Sequence, residues 1–421
     1  MAPIKLTNFT NGIRVITEQE RNFQTISLGI WVDAGSRNET IENNGISHLL
    51  EHMAFKGTTS RSAKDIVQEI ENVGGYFNAY TSRENTAYYI KILKDDLPLA
   101  IDILIDIFIN STFLGDELKK EKEVIKQEIG QSKDTPDDII FDYFQSAAFP
   151  DQPLGRSILG SVSNVNKFTR ENVFNYLESE YSPNRLVFAA SGDIEHDNFE
   201  NLIREKLVDY NKSKKNIVEK AEYVGGEYRE TRDLEQVHIV LGLEGVSYYD
   251  ENYYPSQVFS TILGGGMSSK LFQQIRENKG LCYSIYSFSS SYTDTGLLGV
   301  YAGTGENQVK ELIPSIIDEF HKMSFEISEE DVARAKAQLK ASTIMSLENS
   351  SHRCESLARQ LIIYDRPVTH REIIEKIESI TRSQVIQFAK SILNNNHPVL
   401  SVLGPISRIE NFEKIIERLR N

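Results

Sequence analysis

Cysteine is almost absent from this chain, since its 421 residues include only Cys282 and Cys354. The two positions do not match the spacing of metal-ligating cysteines, so the sequence argues against a disulfide framework and suits a reducing compartment. The simplest role for both residues is that of small side chains in a hydrophobic core.

Long hydrophobic runs and export signals are also missing. No stretch has the roughly 18 uninterrupted apolar residues that indicate a membrane-spanning helix. The N-terminal segment MAPIKLTNFTNGIRVITEQE has neither a continuous apolar region nor an Arg-rich amphipathic pattern, so no targeting signal is predicted. We therefore expect a soluble protein that is not exported and has no membrane partner.

Basic residues are outnumbered. The chain has 46 Lys and Arg against 61 Asp and Glu, which gives a formal net charge of −15. Nucleic acid would require basic patches, so a nucleic-acid partner is not expected and cationic partners are favoured. A hydrophobic content of 40% and a charged content of 25% are typical of a globular protein with two or three domains.

Histidine is scarce as well, yet two of the eight histidines lie in one short segment, NNGISHLLEHMAFKGTTS, residues 43–60. In a helix, His48, Glu51 and His52 lie on the face opposite the apolar stripe of Ile46, Leu49, Leu50 and Met53. The order H-x-x-E-H is a zinc-peptidase signature, because imidazoles four residues apart can converge on one ion. The alternative is an amphipathic helix whose polar outer face carries two histidines by chance.

The order of elements indicates an internal duplication of an α+β unit of about 200 residues. The first half is predicted to contain a hairpin, a strand, the histidine helix, a second helix, two strands and two further helices, and the second half repeats this order from residue 236. We predict an N-terminal domain at 1–208, a linker at 209–226 and a C-terminal domain at 227–421. Only the first domain carries H-x-x-E-H, because the matching region of the second reads VFSTILGGGMSSK.

A charged helix, LKKEKEVIKQEIG, offers further ligands. Glu121 and Glu128 lie seven residues apart on its apolar stripe, which is formed by Leu118, Ile125 and Ile129. A carboxylate on an apolar face needs a partner, and a zinc ion would supply one. The alternative is that both glutamates are exposed charges among many others.

Four motifs, HLLEHMAFKGT, GGYFNAYTSREN, EKEVIKQEIGQ and PLGRSILGS, together resemble the inverzincin peptidases of the pitrilysin and insulin-degrading-enzyme group. The similarity runs over nearly the whole chain and is greatest to the mitochondrial processing peptidase and its single-chain bacterial relatives. The resemblance implies two homologous α/β-sandwich domains, each with an antiparallel-rich sheet and helices packed on one side. It also implies one zinc ion per chain.

The resemblance assigns roles to the residues of the first half. Glu128 matches the third zinc ligand beside His48 and His52, and Glu121 matches the carboxylate that supports the metal-site histidines. Three protein ligands leave a fourth position for water, which is typical of a catalytic zinc site. Glu51 is placed to take the proton of that water and to pass it to the leaving amine, so peptide hydrolysis is the expected reaction.

The second half contributes Arg276 and Tyr283, in LFQQIRENKGLCYSIY. By themselves they are an ordinary helix-end arginine and strand tyrosine. The resemblance implies that they bind the substrate and the transition state. Because one chain carries both these residues and the zinc motif, we expect a homodimer of clamshell halves, in which Arg276 and Tyr283 of one chain serve the zinc site of the other.

Two segments bear on the substrate. Asn78 and Ala79 match the edge strand to which the family's substrates add as an extra strand, although a plain strand is the simpler interpretation. Asp138 and Asp142, four residues apart in a helix that starts with Thr135 and Pro136, match two acidic positions that bind an arginine just before the cleavage site. Asp138 replaces a glutamate of the family, and an acidic first turn also suits the helix dipole.

The sequence therefore predicts a zinc-dependent endopeptidase that cleaves short, extended peptides with basic residues upstream of the cut. The alternative is a non-catalytic structural or partner-dependent subunit, similar to the core proteins of the respiratory cytochrome complex. A bacterial cytoplasmic location is expected, and the mitochondrial matrix, after removal of a transit peptide, is the second possibility.

Overall fold

The computed structural model describes residues 3–211, 218–394 and 397–420, and these residues form a mixed α+β structure. No helix in this part of the chain has the length and apolar character needed to cross a membrane. The strands are β1 (Ile4–Asn8), β2 (Arg14–Gln19), β3 (Thr25–Val32), β4 (Tyr76–Thr81), β5 (Thr86–Leu93), β6 (Leu186–Gly192), β7 (Gly226–Thr231), β8 (Val237–Glu244), β9 (Ser284–Ser291), β10 (Gly296–Thr304) and β11 (Val399–Gly404).

The helices of the first half are α1 (Ile46–Ala54), α2 (Ala63–Asn72), α3 (Leu97–Ile109), α4 (Gly115–Lys133), α5 (Pro136–Ala148), α6 (Val162–Lys167), α7 (Arg170–Glu180) and α8 (His196–Leu207). Those of the second half are α9 (Tyr253–Gly264), α10 (Val309–Met323), α11 (Glu329–Ser346), α12 (Ser350–Tyr364), α13 (His370–Ser379), α14 (Arg382–Asn394) and α15 (Phe412–Arg420).

The chain divides into two compact units that are discontinuous in sequence. The first comprises Met1–Gly130, Arg156–Glu219 and Met345–Val368, and the second comprises Gln131–Gly155, Lys220–Ile344 and Thr369–Asn421. Helix α5 thus packs with β7, β8 and β11, whereas α12 packs with β2, β3 and β6. The domain boundaries at 1–208, 209–226 and 227–421 stay a prediction, and residues 212–217 of the predicted linker lie outside the described residues.

The two sheets repeat one arrangement. The first has the order β1-β2-β6-β3-β5-β4 and the second has the order β7-β11-β8-β10-β9. The second order matches the first strand by strand when β1 is left out, with β7 in the place of β2 and β9 in the place of β4. The pairs β2 with β6 and β7 with β11 are parallel, and the other neighbours are antiparallel. This correspondence agrees with the predicted duplication and with antiparallel-rich sheets.

Alternation along the strands sends side chains of the first sheet to two different layers. Leu28, Ile30 and Val32 face the main core formed with α1, α3 and α7. Trp31 points to the opposite face, where α12 buries Leu357 and Leu361 against the sheet. The main helical layer on one face was predicted, whereas α12 on the other was not, because it comes from a distant part of the chain.

One local prediction differs from the structure. The segment SKLFQQIREN was expected to be an α-helix, but Phe272–Asn278 form a π-helix that carries Arg276. A π-helical turn shifts the following side chains around the axis relative to an α-helix, and such turns are frequent at functional sites. The predicted hairpin at residues 4–19 is confirmed, since Ile4 pairs with Glu18 and Asn8 with Arg14.

Candidate metal centre

Helix α1 presents the H-x-x-E-H residues because its two faces are chemically different. Its apolar side is fully buried in the first unit and is formed by Ile46, Leu49, Leu50 and Met53. The polar side carries His48, Glu51 and His52, all of which are half-buried. Burial of the apolar stripe therefore fixes which side of the helix faces outward from the core.

The start of α1 is stabilised by a side chain of the preceding loop, that of Glu39. Gly45 occupies the N-cap with a φ of 100° and offers no side chain. The buried carboxylate of Glu39 accepts hydrogen bonds from the backbone N–H groups of Gly45 (2.8 Å) and Ser47 (2.7 Å) and from the Asn44 amide (2.9 Å). A left-handed backbone and a close approach to the Leu159 carbonyl, 2.9 Å from where a Cβ would lie, both require glycine at position 45.

Helix α4 contributes the two glutamates predicted from its stripe. Leu118, Ile125 and Ile129 are buried and anchor this face to the core, and Glu121 is only 5% exposed. Glu128 is partly exposed, because it lies closer to the open side of the cluster. The seven-residue spacing places both carboxylates on the side of α4 that faces the histidines of α1.

Three side chains converge in a geometry that suits a metal ion. Oε2 of Glu128 lies 3.6 Å from Nε2 of His48 and 3.6 Å from Nε2 of His52. Ligand atoms from His48, His52 and Glu128 all lie within 4.8 Å of one another. A tetrahedral zinc ion with bonds of about 2.0–2.1 Å would hold its ligands roughly 3.4 Å apart, so the observed separations fit zinc.

Glu121 supports this cluster without being part of it. Its Oε2 lies 3.0 Å from Nδ1 of His52, and its Oε1 lies 2.8 Å from the ammonium group of Lys56. A hydrogen bond at Nδ1 leaves Nε2 of His52 as the ring atom that faces Glu128, and it fixes the orientation of the imidazole. Burial acts to raise the pKa of Glu121, but the contacts with His52 and Lys56 outweigh it, so the pKa is lowered.

The two histidines differ in their electrostatic surroundings. Burial, helped by the nearby His52, lowers the pKa of His48 to about 3 and keeps its imidazole neutral, as a metal ligand must be. Burial also acts to lower the pKa of His52, but the hydrogen bond to Glu121 and the charges of Glu128 and Glu51 outweigh it and raise that pKa. A bound cation would take the place of the proton that these carboxylates attract.

Glu51 lies beside the cluster and is held by strand β4. Oγ1 of Thr81 donates a 2.6 Å hydrogen bond to Oε2 of Glu51. Burial raises the pKa of this carboxyl group despite that hydrogen bond. A raised pKa in a carboxylate next to a metal cluster suits a group that accepts a proton and returns it.

Some residues around the cluster were not predicted. Glu39 contacts the start of the H-x-x-E-H helix and Thr81 contacts its Glu51, whereas Lys56 contacts Glu121 of α4. The three residues are 17 and 25 positions apart along the chain and follow no repeating pattern. Thr81 and Lys56 do lie within the motifs NAYTSREN and HMAFKGT, so their motif context was the one signal that could have indicated them.

Arg276 and Tyr283 lie together in the second unit. The guanidinium carbon of Arg276 is 5.6 Å from the Tyr283 ring centroid and 4.4 Å from that of Phe272, which are cation–π distances. The Tyr283 side chain is 78% exposed, so it can contact a ligand without rearrangement of the core.

Asn78 and Ala79 lie on β4, which is the last strand of the first sheet. The backbone N–H of Ala79 donates to Oδ1 of Asn78 (2.8 Å), and the Asn78 amide donates to the Tyr76 hydroxyl (2.7 Å). Asp138 and Asp142 lie on α5, which starts after Thr135 as predicted. Oδ2 of Asp138 accepts a weak hydrogen bond from Ser132 (3.3 Å).

Comparison with known proteins connects this geometry to a family. Residues 14–162 match the model described as insulinase (peptidase family M16), and residues 167–339 match the M16 inactive domain. Over 404 residues the chain is 36% identical to the uncharacterized zinc protease YmxG of Bacillus subtilis. This alignment covers 96% of this chain and 98% of YmxG. The chain belongs to peptidase family M16.

Two further similarities extend over almost the full length. The chain is 35% identical over 429 residues to the β subunit of the mitochondrial-processing peptidase of Mus musculus, covering 99% of this chain and 87% of that subunit. It also superposes on a chain of Complex III2 from Candida albicans, solved with Inz-5 bound, with a TM-score of 0.88 and 25% identity over 99% of both chains.

A shared fold does not by itself fix an activity, so the M16 fold is decisive only together with the side chains of the cluster. The zinc-protease relatives and the His48, His52 and Glu128 arrangement agree. The chain is therefore a metallopeptidase whose cofactor is zinc, as predicted.

Proposed function

We propose that this chain is a zinc-dependent endopeptidase in which His48, His52 and Glu128 hold the metal and Glu51 is the general base. The observation that carries the proposal is the convergence of the two Nε2 atoms on one Glu128 oxygen, with the Glu51 carboxylate next to them. When bound, zinc supplies a Lewis acid that polarises a carbonyl group and makes water more acidic.

Side chains of the protein carry out proton transfer, hold the metal ligands in place and bind the oxyanion. Glu51 takes a proton from water at its carboxylate and delivers it to the leaving amine, while Thr81 keeps the carboxylate in place through Oε2. Glu121 holds the ring of His52 through Nδ1. Arg276 and Tyr283 offer a cation and a hydroxyl group for the oxyanion that forms at the scissile carbonyl.

The substrate is an extended peptide. Edge strand β4 can accept it as an added strand, with main-chain hydrogen bonds at Asn78 and Ala79. The internal contact between the Ala79 N–H and Oδ1 of Asn78 would be exchanged for a contact with the peptide backbone. Folded proteins do not present free extended strands of this kind, so short peptides are the expected substrates.

A preference for basic residues upstream of the cut is the finer part of the proposal. Asp138 and Asp142 lie one helical turn apart on α5, and the net charge of −15 favours cationic ligands in general. A homodimer in which Arg276 and Tyr283 of one chain complete the site of the other is also proposed. A bacterial cytoplasmic location remains a prediction.

The first experiment compares wild type with Glu51→Gln on a quenched fluorescent peptide, with metal content measured in parallel. Loss of a general base lowers kcat by about 10² to 10⁴-fold while leaving all three ligands in place. We expect Glu51→Gln to contain stoichiometric zinc and to cleave at that reduced rate, and a chelator to abolish wild-type cleavage until zinc is restored. Wild type that holds zinc but cleaves no member of a diverse peptide library would instead indicate the structural-subunit alternative.

The basic preference is tested with Asp138→Asn and Asp142→Asn on paired peptides that carry arginine or glutamine upstream of the cut. Each variant should lower the ratio of kcat/KM for arginine over glutamine by about tenfold, the effect of losing one charge-assisted hydrogen bond. Asp137→Asn, on the same helical turn, is the matched control. If wild type cleaves the arginine peptide and the glutamine peptide with equal kcat/KM, the basic preference is removed from the proposal.

The dimer is tested by mixing two inactive variants, Glu51→Gln and Arg276→Ala. If Arg276 acts across the dimer, each mixed dimer has one site with Glu51 in place and Arg276 supplied by the partner, so mixing restores cleavage. If Arg276 acts within its own chain, or if the chain is monomeric, the mixture stays as inactive as its components.

A further inference from the structure

Strand β4 has a second face that the zinc chemistry does not use. Thr81 points toward Glu51, and Phe77 packs on Phe55 with ring centroids 4.5 Å apart, so these side chains lie on the helical face of the sheet. Because side chains alternate along a strand, Tyr76 and Tyr80 lie on the opposite face.

A cavity of about 490 Å³ lies on this opposite face. Its walls come from three strands of the first sheet and from the start of α12. The aromatic part consists of Trp31, Tyr76, Tyr80 and Tyr89, and the polar part includes Ser27, Ser351, His352 and Glu355. The volume is sufficient for one long amino-acid side chain, and the aromatic rings provide several flat surfaces.

A chain of two hydrogen bonds, through the Tyr80 hydroxyl, connects Trp31 to the carboxylate of Glu355 in this cavity. The Trp31 indole N–H donates to the Tyr80 hydroxyl (3.3 Å), and that hydroxyl donates to Oε1 of Glu355 (3.1 Å). Arg359 follows Glu355 by one helical turn on α12, and both charges act on the Tyr80 hydroxyl: burial and then Glu355 raise its pKa, and Arg359 lowers it. The basic residues Lys91 and Arg359 lie on the same strand and helix as cavity residues but do not line the cavity.

A carboxylate in the wall of a cavity lined by aromatic rings is complementary to a positively charged side chain. Such a charge gains from the faces of Trp and Tyr rings and from a charge-assisted hydrogen bond. A peptide strand added to β4 would direct every second side chain to this face of the sheet, next to Tyr76 and Tyr80.

We propose that this cavity is a subsite for an arginine or lysine side chain of a peptide bound along β4, with the positive charge between the aromatic rings and the carboxylate of Glu355. The proposal rests on the proposed function, because it takes a substrate peptide as the ligand. It adds a second point of charge recognition that is separate from Asp138 and Asp142.

The only tryptophan of the chain lines the cavity, so its fluorescence reports occupancy without any need for cleavage. The experiment titrates zinc-loaded Glu51→Gln protein with a peptide that lacks Trp and Tyr and contains one arginine at a varied position. The reference peptide has citrulline, which keeps the shape of arginine but has no charge. At one position the arginine peptide should bind about tenfold more tightly, and moving the arginine by one residue should remove the difference.

Adding Glu355→Gln should make the affinities for the arginine and citrulline peptides about equal. Glu348 is exposed, lies on the preceding turn and does not line the cavity, so Glu348→Gln should leave the tenfold preference intact. Tyr76→Leu keeps apolar bulk but removes a ring, so it should weaken binding of the arginine peptide about threefold. This second variant keeps the test decisive if Glu355→Gln does not fold.

Equal affinity for arginine and citrulline peptides at every position, or a preference that survives both Glu355→Gln and Tyr76→Leu, would overturn the proposal. A charge-dependent change in Trp31 fluorescence combined with no cleavage by wild type would support the subsite and contradict the proposed function. Cleavage by wild type without any response of Trp31 fluorescence to bound peptide would support the proposed function and contradict the subsite.

Discussion

The carboxylate of Glu39 accepts a 2.7 Å hydrogen bond from the backbone N–H of Ser47, the residue directly before the first metal-binding histidine. It accepts a second from the N–H of Gly45 at 2.8 Å. Helix N-termini carry unpaired N–H groups and a partial positive charge. The Glu39 carboxylate accepts hydrogen bonds from these N–H groups and places a carboxyl group next to the partial positive charge. The Ser47 hydroxyl lies 2.6 Å from that of Tyr176, which further fixes this end of α1.

Replacing Glu39 with alanine should lower the free energy of unfolding by about 2–3 kcal/mol, because buried N–H groups lose their acceptor. Urea denaturation of the metal-free protein measures this change. Glu42→Ala provides the matched control, since Glu42 is an exposed glutamate in the same loop and should change stability by less than about 0.5 kcal/mol. Equal effects of the two substitutions would show that Glu39 does not stabilise the helix.

The same residue should make stability depend on pH. Burial raises the pKa of Glu39 from 4.5 to about 7, despite the hydrogen bonds from Ser47, Gly45 and Asn44. The folded protein therefore binds more protons than the unfolded chain between these two values, so the contribution of Glu39 to stability is full below pH 4.5 and is lost as pH rises through 7.

Relative to Glu39→Gln, which cannot titrate, wild type should lose at most about 3 kcal/mol of unfolding free energy across this range. Urea denaturation of both proteins at a series of pH values gives the difference directly. A difference that stays constant with pH would mean that the pKa of Glu39 is not raised in the folded protein.

Substitution of Glu121 with glutamine should weaken zinc binding about 10- to 100-fold, because the His52 ring loses the charged acceptor at Nδ1. Competition with a chromogenic chelator measures the affinity. Glu117→Gln, which removes a surface ion pair with Lys120 on the same helix, should leave the affinity unchanged. Unaltered zinc affinity in Glu121→Gln would exclude a supporting role.

Thr81→Val should reduce kcat about 10- to 100-fold with zinc content unchanged, since the Glu51 carboxylate loses a hydrogen bond at Oε2. Thr81→Ser keeps the hydroxyl group and should retain most of the activity. The comparison of kcat with KM separates this effect from weaker substrate binding at β4. Full activity in Thr81→Val would exclude a role of the hydroxyl group, and a loss in Thr81→Ser would show that the methyl group is needed as well.

The residues that form the cluster could be predicted from sequence, because their positions follow helical periodicity. The i, i+4 spacing of His48 and His52 and the seven-residue spacing of Glu121 and Glu128 define one face on each helix, and burial of the apolar stripes fixes how these faces are oriented. The motif resemblance then identified Glu128 as the third ligand, and the 3.6 Å distances to both imidazoles agree with it.

Contacts between segments with no local pattern could not be predicted in this way. Glu39 is an ordinary polar residue in a loop until the fold brings its carboxylate to the first turn of α1. The hydrogen bond from Thr81 to Glu51 depends on the register of β4 against β5, which sequence alternation alone does not set.

By itself, the sequence determined the faces of the helices, the alternation of the strands and the duplicated order of elements, since each follows from the local geometry of the backbone. Only the tertiary structure decided that α12, more than 150 residues away in the chain, packs on the first sheet and places Glu355 beside Tyr80 and Trp31. Burial of apolar surface selects such partners over any distance along the chain, so they leave no period in the sequence.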